Sequence, residues 1–335
     1  MINDKKYQVV YAADDRFSEI MGVSIVSLFE KNRDAETICL YILDTNINIK
    51  NKNRIEDICK AYSRPLPTWI PAINIEEKLQ MQVSVDRGSL SQYARLFISS
   101  LLPDEISRVL YLDCDIIIHQ SIEELWNLDL IGNTIGALKD AFSRYYRVNI
   151  DLQPKDIMFN SGVMLIDLVK WKTRDTENRL MRFIQAHKGK IQQGDQGALN
   201  AVLSHEVFCI EPRFNAITIF FDFTYKEMLI YRKPVDFYSE IEVEAARENP
   251  VLIHFTTSFL SKRPWERDCH HRYISVWYKN KELSPWRDSP VWEPKDPKWR
   301  QISKKIFVAM PKALTIRIAG FLQVYARPLK NRLFY

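Results

Sequence analysis

The chain has 335 residues, 46% hydrophobic and 27% charged, which supports one large domain or two moderate ones and excludes disorder throughout. Its net charge of +5 is unevenly placed: nine basic residues and no acid follow Asp296, so residues 1–296 carry a net −4. The positive charge belongs to the tail, which excludes an all-over nucleic-acid binder and points to an anionic surface met by that tail.

The five cysteines are scattered and never form a Cys-x-x-Cys pair, which fits a reducing compartment and argues against a disulfide framework or a structural zinc site. The first residues lack the apolar stretch of a secretory signal, and no apolar run approaches the roughly 18 residues of a membrane span. A cytoplasmic protein is expected. The nine glycines are not arranged as Gly-x-Gly-x-x-Gly or as a Gly-Lys-Ser/Thr loop, which removes the two commonest nucleotide-binding signatures.

In chain order, Tyr7–Tyr11 reads as a short buried strand, and Met21, Ile25, Leu28 and Phe29 give the following segment, Ser18–Glu30, a helical spacing. Ile38–Leu43 is the next strand. A helix carrying Ile55, Ile58, Cys59 and Tyr62 on one side precedes an edge strand over Trp69–Ile73, where proline is tolerated. This alternation predicts an α/β fold with a mainly parallel sheet covered on both faces, ligand groups lying at the carboxyl ends of its strands. Further strands are expected at Arg108–Leu112, Ile116–Ile118, Thr134–Leu138, Met158–Ile166 and Val251–Phe255, and helices at Ser91–Leu101, Glu177–His187 and Asp195–Leu203. The body is read as residues 1–283. Prolines 285, 290, 294 and 297 among Trp286 and Trp292 make 284–300 an irregular linker. Residues 301–335 form a basic tail, with Leu314, Ile318, Phe321, Leu322 and Tyr325 on one helical stripe. Such a segment can lie on an anionic bilayer, or it can pack on the body as an ordinary terminal helix.

The sharpest chemical signal is Tyr111-Leu112-Asp113-Cys114-Asp115. Two carboxylates one residue apart, directly after an apolar strand, can converge on one divalent cation; alone, an Asp-x-Asp in a turn is more often solvated or capping. A phosphatase with an aspartate nucleophile would carry a small hydroxylated residue where Ile117 stands. His254, at the end of an apolar run, can complete a Mn²⁺ site of carboxylate and nitrogen ligands, and Lys262 or Arg263 beyond it can hold a diphosphate. A lone histidine there is otherwise a hydrogen-bonded core residue. Cys269-His270-His271 has no fourth ligand at a suitable spacing.

These residues resemble the family 8 glycosyltransferases, which use nucleotide sugars with retention and include bacterial lipopolysaccharide galactosyl- and glucosyltransferases and the glycogenins. The resemblance runs from Tyr7 to about Trp265. It rests on Ala12-Ala13-Asp14-Asp15, Tyr93-Ala94-Arg95-Leu96, the Asp113 and Asp115 motif, Phe159-Asn160-Ser161-Gly162-Val163, Asp195-Gln196 with Leu199-Asn200, and the segment from His254 to Trp265. It implies a GT-A-type nucleotide-sugar-binding domain and transfer of galactose or glucose from a UDP-sugar to a glycan acceptor, in lipopolysaccharide or other surface-polysaccharide synthesis. Asp14 would accept the uracil N3–H, with Ala12 leaving room for the base, and Arg95 would contact donor phosphate or sugar. Asp113, Asp115 and His254 would hold Mn²⁺, or Mg²⁺ in its place, while Lys262 or Arg263 adds charge at the diphosphate. Asp140, Asn160, Asp195 and Gln196 would hold the hexose and the reacting face. Four of these have an ordinary alternative: a helix cap for Asp14 and Asp195, an exposed helix position for Arg95, a turn for Asn160.

Three positions depart from the family's pattern: Thr257 and a longer spacing after His254, Arg16 where an amide often touches uracil, and Gly197 after Asp195-Gln196. The expected acceptor is lipid-linked glycan, reached from the inner face of the cytoplasmic membrane through the tail, with a protein acceptor as the alternative and no nucleic-acid partner. Two rivals remain. A nucleotidyltransferase would need a glycine-rich basic loop where Ala12–Asp15 is acidic, and a non-catalytic membrane-binding relative would be indifferent to loss of Asp113 or Asp115.

Overall fold

The computed structural model describes residues 5–84, 90–259, 261–293, 307 and 310–334. Two sheets organise the body. The larger has the strand order β3-β2-β1-β4-β7-β6-β8, with β1 Lys6–Asp14, β2 Thr37–Thr45, β3 Thr68–Pro71, β4 Arg108–Leu112, β6 Ile135–Lys139, β7 Phe159–Asp167 and β8 Val207–Cys209. The smaller joins β5 Ile116–Ile118, β10 Leu252–His254 and β9 Ala216–Ile217 in the order β5-β10-β9.

Strand β1 shows why the sheet is covered twice. Its period-2 alternation sends Tyr7, Val9, Tyr11 and Ala13 into one core cluster, and Val10 into a second. The first cluster also takes the helix Ser18–Lys31, whose Ile20 to Phe29 are all buried. The second lies under the helices Thr176–Ala186 and Asp195–Leu203. Parallel pairing joins β1 to β2 and β4, β2 to β3, and β6 to β8. Strand β7 runs antiparallel to both β4 and β6. The sheet is therefore mixed and mostly parallel, and the reversal puts the start of β7 beside the carboxyl ends of β4 and β6. Pro71 ends β3 at the sheet's edge, where its missing N–H costs no ladder bond.

Three expectations are revised by the structure. Leu90–Phe97 winds as a 3₁₀ segment before a short α-turn, Ile98–Leu101. Five consecutive residues there, Tyr93 to Phe97, are buried, a demand that an amphipathic surface helix with one apolar stripe does not meet. Of residues 284–300, those described (284–293) pack on the body: Trp286 is buried against Gly22, and Trp292 meets Phe17 and Trp265 edge-on; 294–300 lie outside the described residues. The tail helix Lys312–Phe321 is docked, but by the opposite face from its apolar stripe. Thr315, Ile316, Ala319 and Gly320 are buried, whereas Leu314, Ile318, Phe321 and Leu322 are exposed. The docked face is that of an ordinary terminal helix packed on the body, and the apolar stripe is left exposed. Gly320 permits this docking, since a Cβ there would come within 2.7 Å of the Ile230 carbonyl.

Candidate active site

The carboxyl end of β4 delivers Asp113 and the turn to Asp115. The short β5 then pairs antiparallel with β10 in a register that sets His254 opposite Ile116, next to the second aspartate. His254 Nε2 lies 3.2 Å from Asp115 Oδ1 and 4.0 Å from Asp113 Oδ2. One ligand atom from each of Asp113, Asp115 and His254 falls within 4.8 Å of the others, so three side chains remote in sequence can share one cation. Two hard carboxylate oxygens and one imidazole nitrogen form a donor set suited to Mn²⁺ or Mg²⁺ chemistry rather than to a thiophilic metal. Gly162 makes the approach possible, because a Cβ at that position would stand 2.2 Å from His254 Cε1 and 2.9 Å from Asp113 Oδ2.

Asp113 is fixed from three sides. Its N–H donates to the Gly162 carbonyl at 2.8 Å, its Oδ1 accepts from the Tyr111 hydroxyl at 3.0 Å, and Arg95 Nη1 lies 3.0 Å from the same oxygen. Arg95 is buried over the Tyr111 ring. It donates to the carbonyls of Ser161 and Gln92 and sits between Asp113 and Asp195. Burial works against its charge, but the two carboxylates outweigh burial and hold it cationic. Asp195 Oδ2 is 2.8 Å from Arg95 Nε, yet that N–H is aimed at Gln92. This buried oxygen accepts no hydrogen bond among the described residues. Burial pushes the Asp195 carboxyl up to about 6 against the pull of Arg95. At Asp115 burial also acts upward, but His254 and Arg263 overcome it and hold that carboxyl below its usual range.

A second cluster adjoins the first. Asp140 Oδ2 accepts from Asn160 Nδ2 at 3.4 Å and from Gln196 Nε2 at 3.3 Å, and Gln196 Oε1 accepts from the Ser161 N–H and hydroxyl. Burial raises the Asp140 carboxyl despite Arg232 and these amides. Asn200 ties the helix Asp195–Leu203 to the start of β7: its Oδ1 accepts from Phe159 N–H at 2.7 Å, and its Nδ2 donates to the carbonyls of Phe159 and Gln196. Asp140, Asn160, Asp195 and Gln196 are therefore one group, joined through Ser161 and Arg95 to the three-ligand cluster.

At the end of β1, Asp14 accepts from Phe17 N–H at 3.2 Å and caps the turn Asp15–Phe17, the ordinary role foreseen for it. The Ala12 carbonyl accepts from the Cys114 thiol at 3.4 Å, which ties β1 to the acidic turn. Arg16 lies over the Trp292 ring. The two candidate cations separate: Arg263 Nη2 is 3.2 Å from Asp115 Oδ2, whereas Lys262 turns away to the Arg267 carbonyl and Asp268. His271 is buried against Phe221 and Phe255. Residues that sequence reasoning passed over also belong here. Asn215 hydrogen-bonds the His254 ring, and only its place after a buried Phe214, ahead of a two-residue strand, could have flagged it.

The arrangement brings a triad that could hold a metal ion, a guanidinium and a cluster of carboxylates and amides to one side of an α/β sheet. Residues 8–269 match the family model described as Glycosyl transferase family 8. The chain is 27% identical over 289 residues to General stress protein A of Bacillus subtilis, covering 85% of this chain and 96% of that protein. It is 26% identical over 295 residues to Lipopolysaccharide 1,2-glucosyltransferase of Escherichia coli, covering 87% and 81%. Its fold superposes on the galactosyltransferase LgtC, solved in complex with donor and acceptor sugar analogues, with a TM-score of 0.69 at 23% identity, over 89% of this chain and 99% of LgtC. The sheet is thus of the GT-A type, and with the family match covering most of its length, the chain belongs to glycosyl transferase family 8.

Proposed function

We propose that this glycosyltransferase moves galactose or glucose from a UDP-sugar to a glycan acceptor, with retention, in the synthesis of lipopolysaccharide or another surface polysaccharide. The observation that carries this reading is the juxtaposition of the Asp113, Asp115 and His254 triad with the Asp140, Asn160, Asp195 and Gln196 cluster. The named activities of the Escherichia coli lipopolysaccharide glucosyltransferase and of the galactosyltransferase LgtC support transfer of a hexose, and the former supports a lipopolysaccharide acceptor.

Asp113, Asp115 and His254 are the residues that would hold Mn²⁺, or Mg²⁺. When bound, the ion supplies Lewis-acid stabilisation of the diphosphate leaving group. Arg263, 3.2 Å from Asp115, would meet the same oxygens in preference to Lys262 and add charge stabilisation as the anomeric bond breaks. Asp14, with Ala12 beside it, would receive the uracil N3–H. Arg95 holds Asp113 and Asp195 in register, and the buried Asp195 oxygen that accepts no hydrogen bond among the described residues is suited to a sugar hydroxyl. Asp140 and Asn160 complete the hexose contacts and place negative charge near a ring that becomes oxocarbenium-like. Gln196 is a poor nucleophile, so same-face attack by the acceptor hydroxyl, with the departing phosphate as base, accounts for retention.

No described helix is long and apolar enough to cross a membrane. The exposed stripe of the tail, in a segment without acids, would instead rest on the inner face of the cytoplasmic membrane and raise the effective concentration of a lipid-linked acceptor. UDP release across a panel of nucleotide sugars tests the enzymatic reading. Turnover of UDP-galactose or UDP-glucose is expected with Mn²⁺ and is abolished by EDTA. A flat signal for every donor, with glycan acceptors supplied, would overturn it.

A further inference from the structure

The tautomer of His254 can be read from one backbone N–H. The Gly162 N–H can only donate, and it donates to Asn160 at 3.0 Å, so the side-chain atom it meets is Asn160 Oδ1. The amide group of Asn215 that lies 3.0 Å from that same oxygen must then be its Nδ2, because two oxygens would repel. It follows that Asn215 presents Oδ1 to His254 Nδ1, 3.0 Å away. An acceptor at Nδ1 requires a hydrogen on Nδ1. In the neutral imidazole the ring lone pair available to a cation is therefore that of Nε2, the nitrogen facing Asp115 and Asp113.

Backbone pairing holds this chain of bonds in place. Asn215 closes the 3₁₀ turn Pro212–Asn215 and leads directly into β9, which runs parallel to β10 with Ile217 opposite His254. Asn215, Asn160 and His254 are all buried, so water does not compete for their bonds. Beyond Asn160 the chain continues to Asp140 and from Asp140 to Gln196.

We propose that Asn215 is a positioning residue that locks His254 with its Nε2 lone pair toward the cation site and couples that site to the hexose-binding amides. The second half rests on the functional reading above; the first half does not. Its chemistry separates the two jobs. Asn215→Asp keeps an acceptor for His254 Nδ1–H but places an oxygen against Asn160 Oδ1, whereas Asn215→Ala removes both bonds.

The test uses the full-length chain. Long-range ¹H–¹⁵N correlation of ¹⁵N-histidine-labelled, metal-free protein is expected to show His254 with its hydrogen on Nδ1. Titration with Mn²⁺ alone, read by the free-ion paramagnetic resonance signal, is expected to show binding weakened about 10- to 100-fold in Asn215→Ala. Asn215→Asp should bind Mn²⁺ nearly as the parent does, yet show a raised KM for UDP-galactose or UDP-glucose. A hydrogen on Nε2 alone in the parent, or unchanged Mn²⁺ affinity in a folded Asn215→Ala, would overturn the proposal. If no donor turns over while the tautomer and Mn²⁺ results hold, the functional reading fails and the locking role stands.

Discussion

At Gly162 the difference between hydrogen and methyl decides whether the site can form. A Cβ would overlap the His254 ring and crowd Asp113, and both sit in a packed interior that relaxes only partly. Gly162→Ala is expected to cut Mn²⁺ affinity and UDP release by about tenfold or more while leaving far-UV circular dichroism unchanged. His271 offers a test through stability. Burial pushes its ring down from 6.5 to about 4, so the unfolded chain binds the proton more readily than the folded one. Its contribution is fully present above pH 6.5 and is lost as pH falls towards 4, a change on the order of 2–3 kcal/mol. Urea unfolding at pH 7.5 and 4.5 should show a steeper loss in the parent than in His271→Phe. Equal slopes would contradict this account.

Between elements, polar side chains set the spacing that the apolar core leaves loose. Asn200 satisfies both backbone groups of Phe159 and caps the Gln196 carbonyl, so it aims the start of the helix Asp195–Leu203 at β7. Asn200→Ala strands those groups in a buried place, and a loss of about 2–4 kcal/mol in urea unfolding is expected. The tail shows the same device. Pro328 has no N–H for the Val324 carbonyl four residues earlier, and Leu322–Ala326 is wound as a π-turn there. The released carbonyl accepts from the Ser143 hydroxyl at 3.2 Å, and the Tyr146 hydroxyl donates to Gln323 next to it. The break in the helix thus becomes its anchor on the body.

For the molecule as a whole, docking by one face leaves the other outward. Phe321 and Leu329 are 62% and 60% exposed, near Arg317, Arg327, Lys330 and Arg332. Phe321→Glu combined with Leu329→Glu is expected to abolish sedimentation with phosphatidylglycerol liposomes without changing UDP release on a soluble acceptor. Parent binding should weaken with added salt, as screening dictates. Persistence of liposome binding in the double variant would remove the membrane role of the tail.

Most of this architecture is written locally. The alternation of Tyr7 to Ala13, the helix Asp195–Leu203 and the two aspartates after Leu112 all declare themselves by spacing, because a strand's faces and a helix's stripe are properties of neighbouring residues. Only tertiary structure decided the rest. That His254 meets Asp115 follows from the β10–β5 register, that Arg263 rather than Lys262 approaches follows from the turn after it, and that Asn215 supports the imidazole follows from β9. The tail's apolar stripe faces outward because Gly320 lets the opposite face approach Ile230 more closely. These are contacts between segments tens to more than a hundred residues apart, and no local pattern encodes which of several chemically adequate partners the folded chain brings within 3 Å.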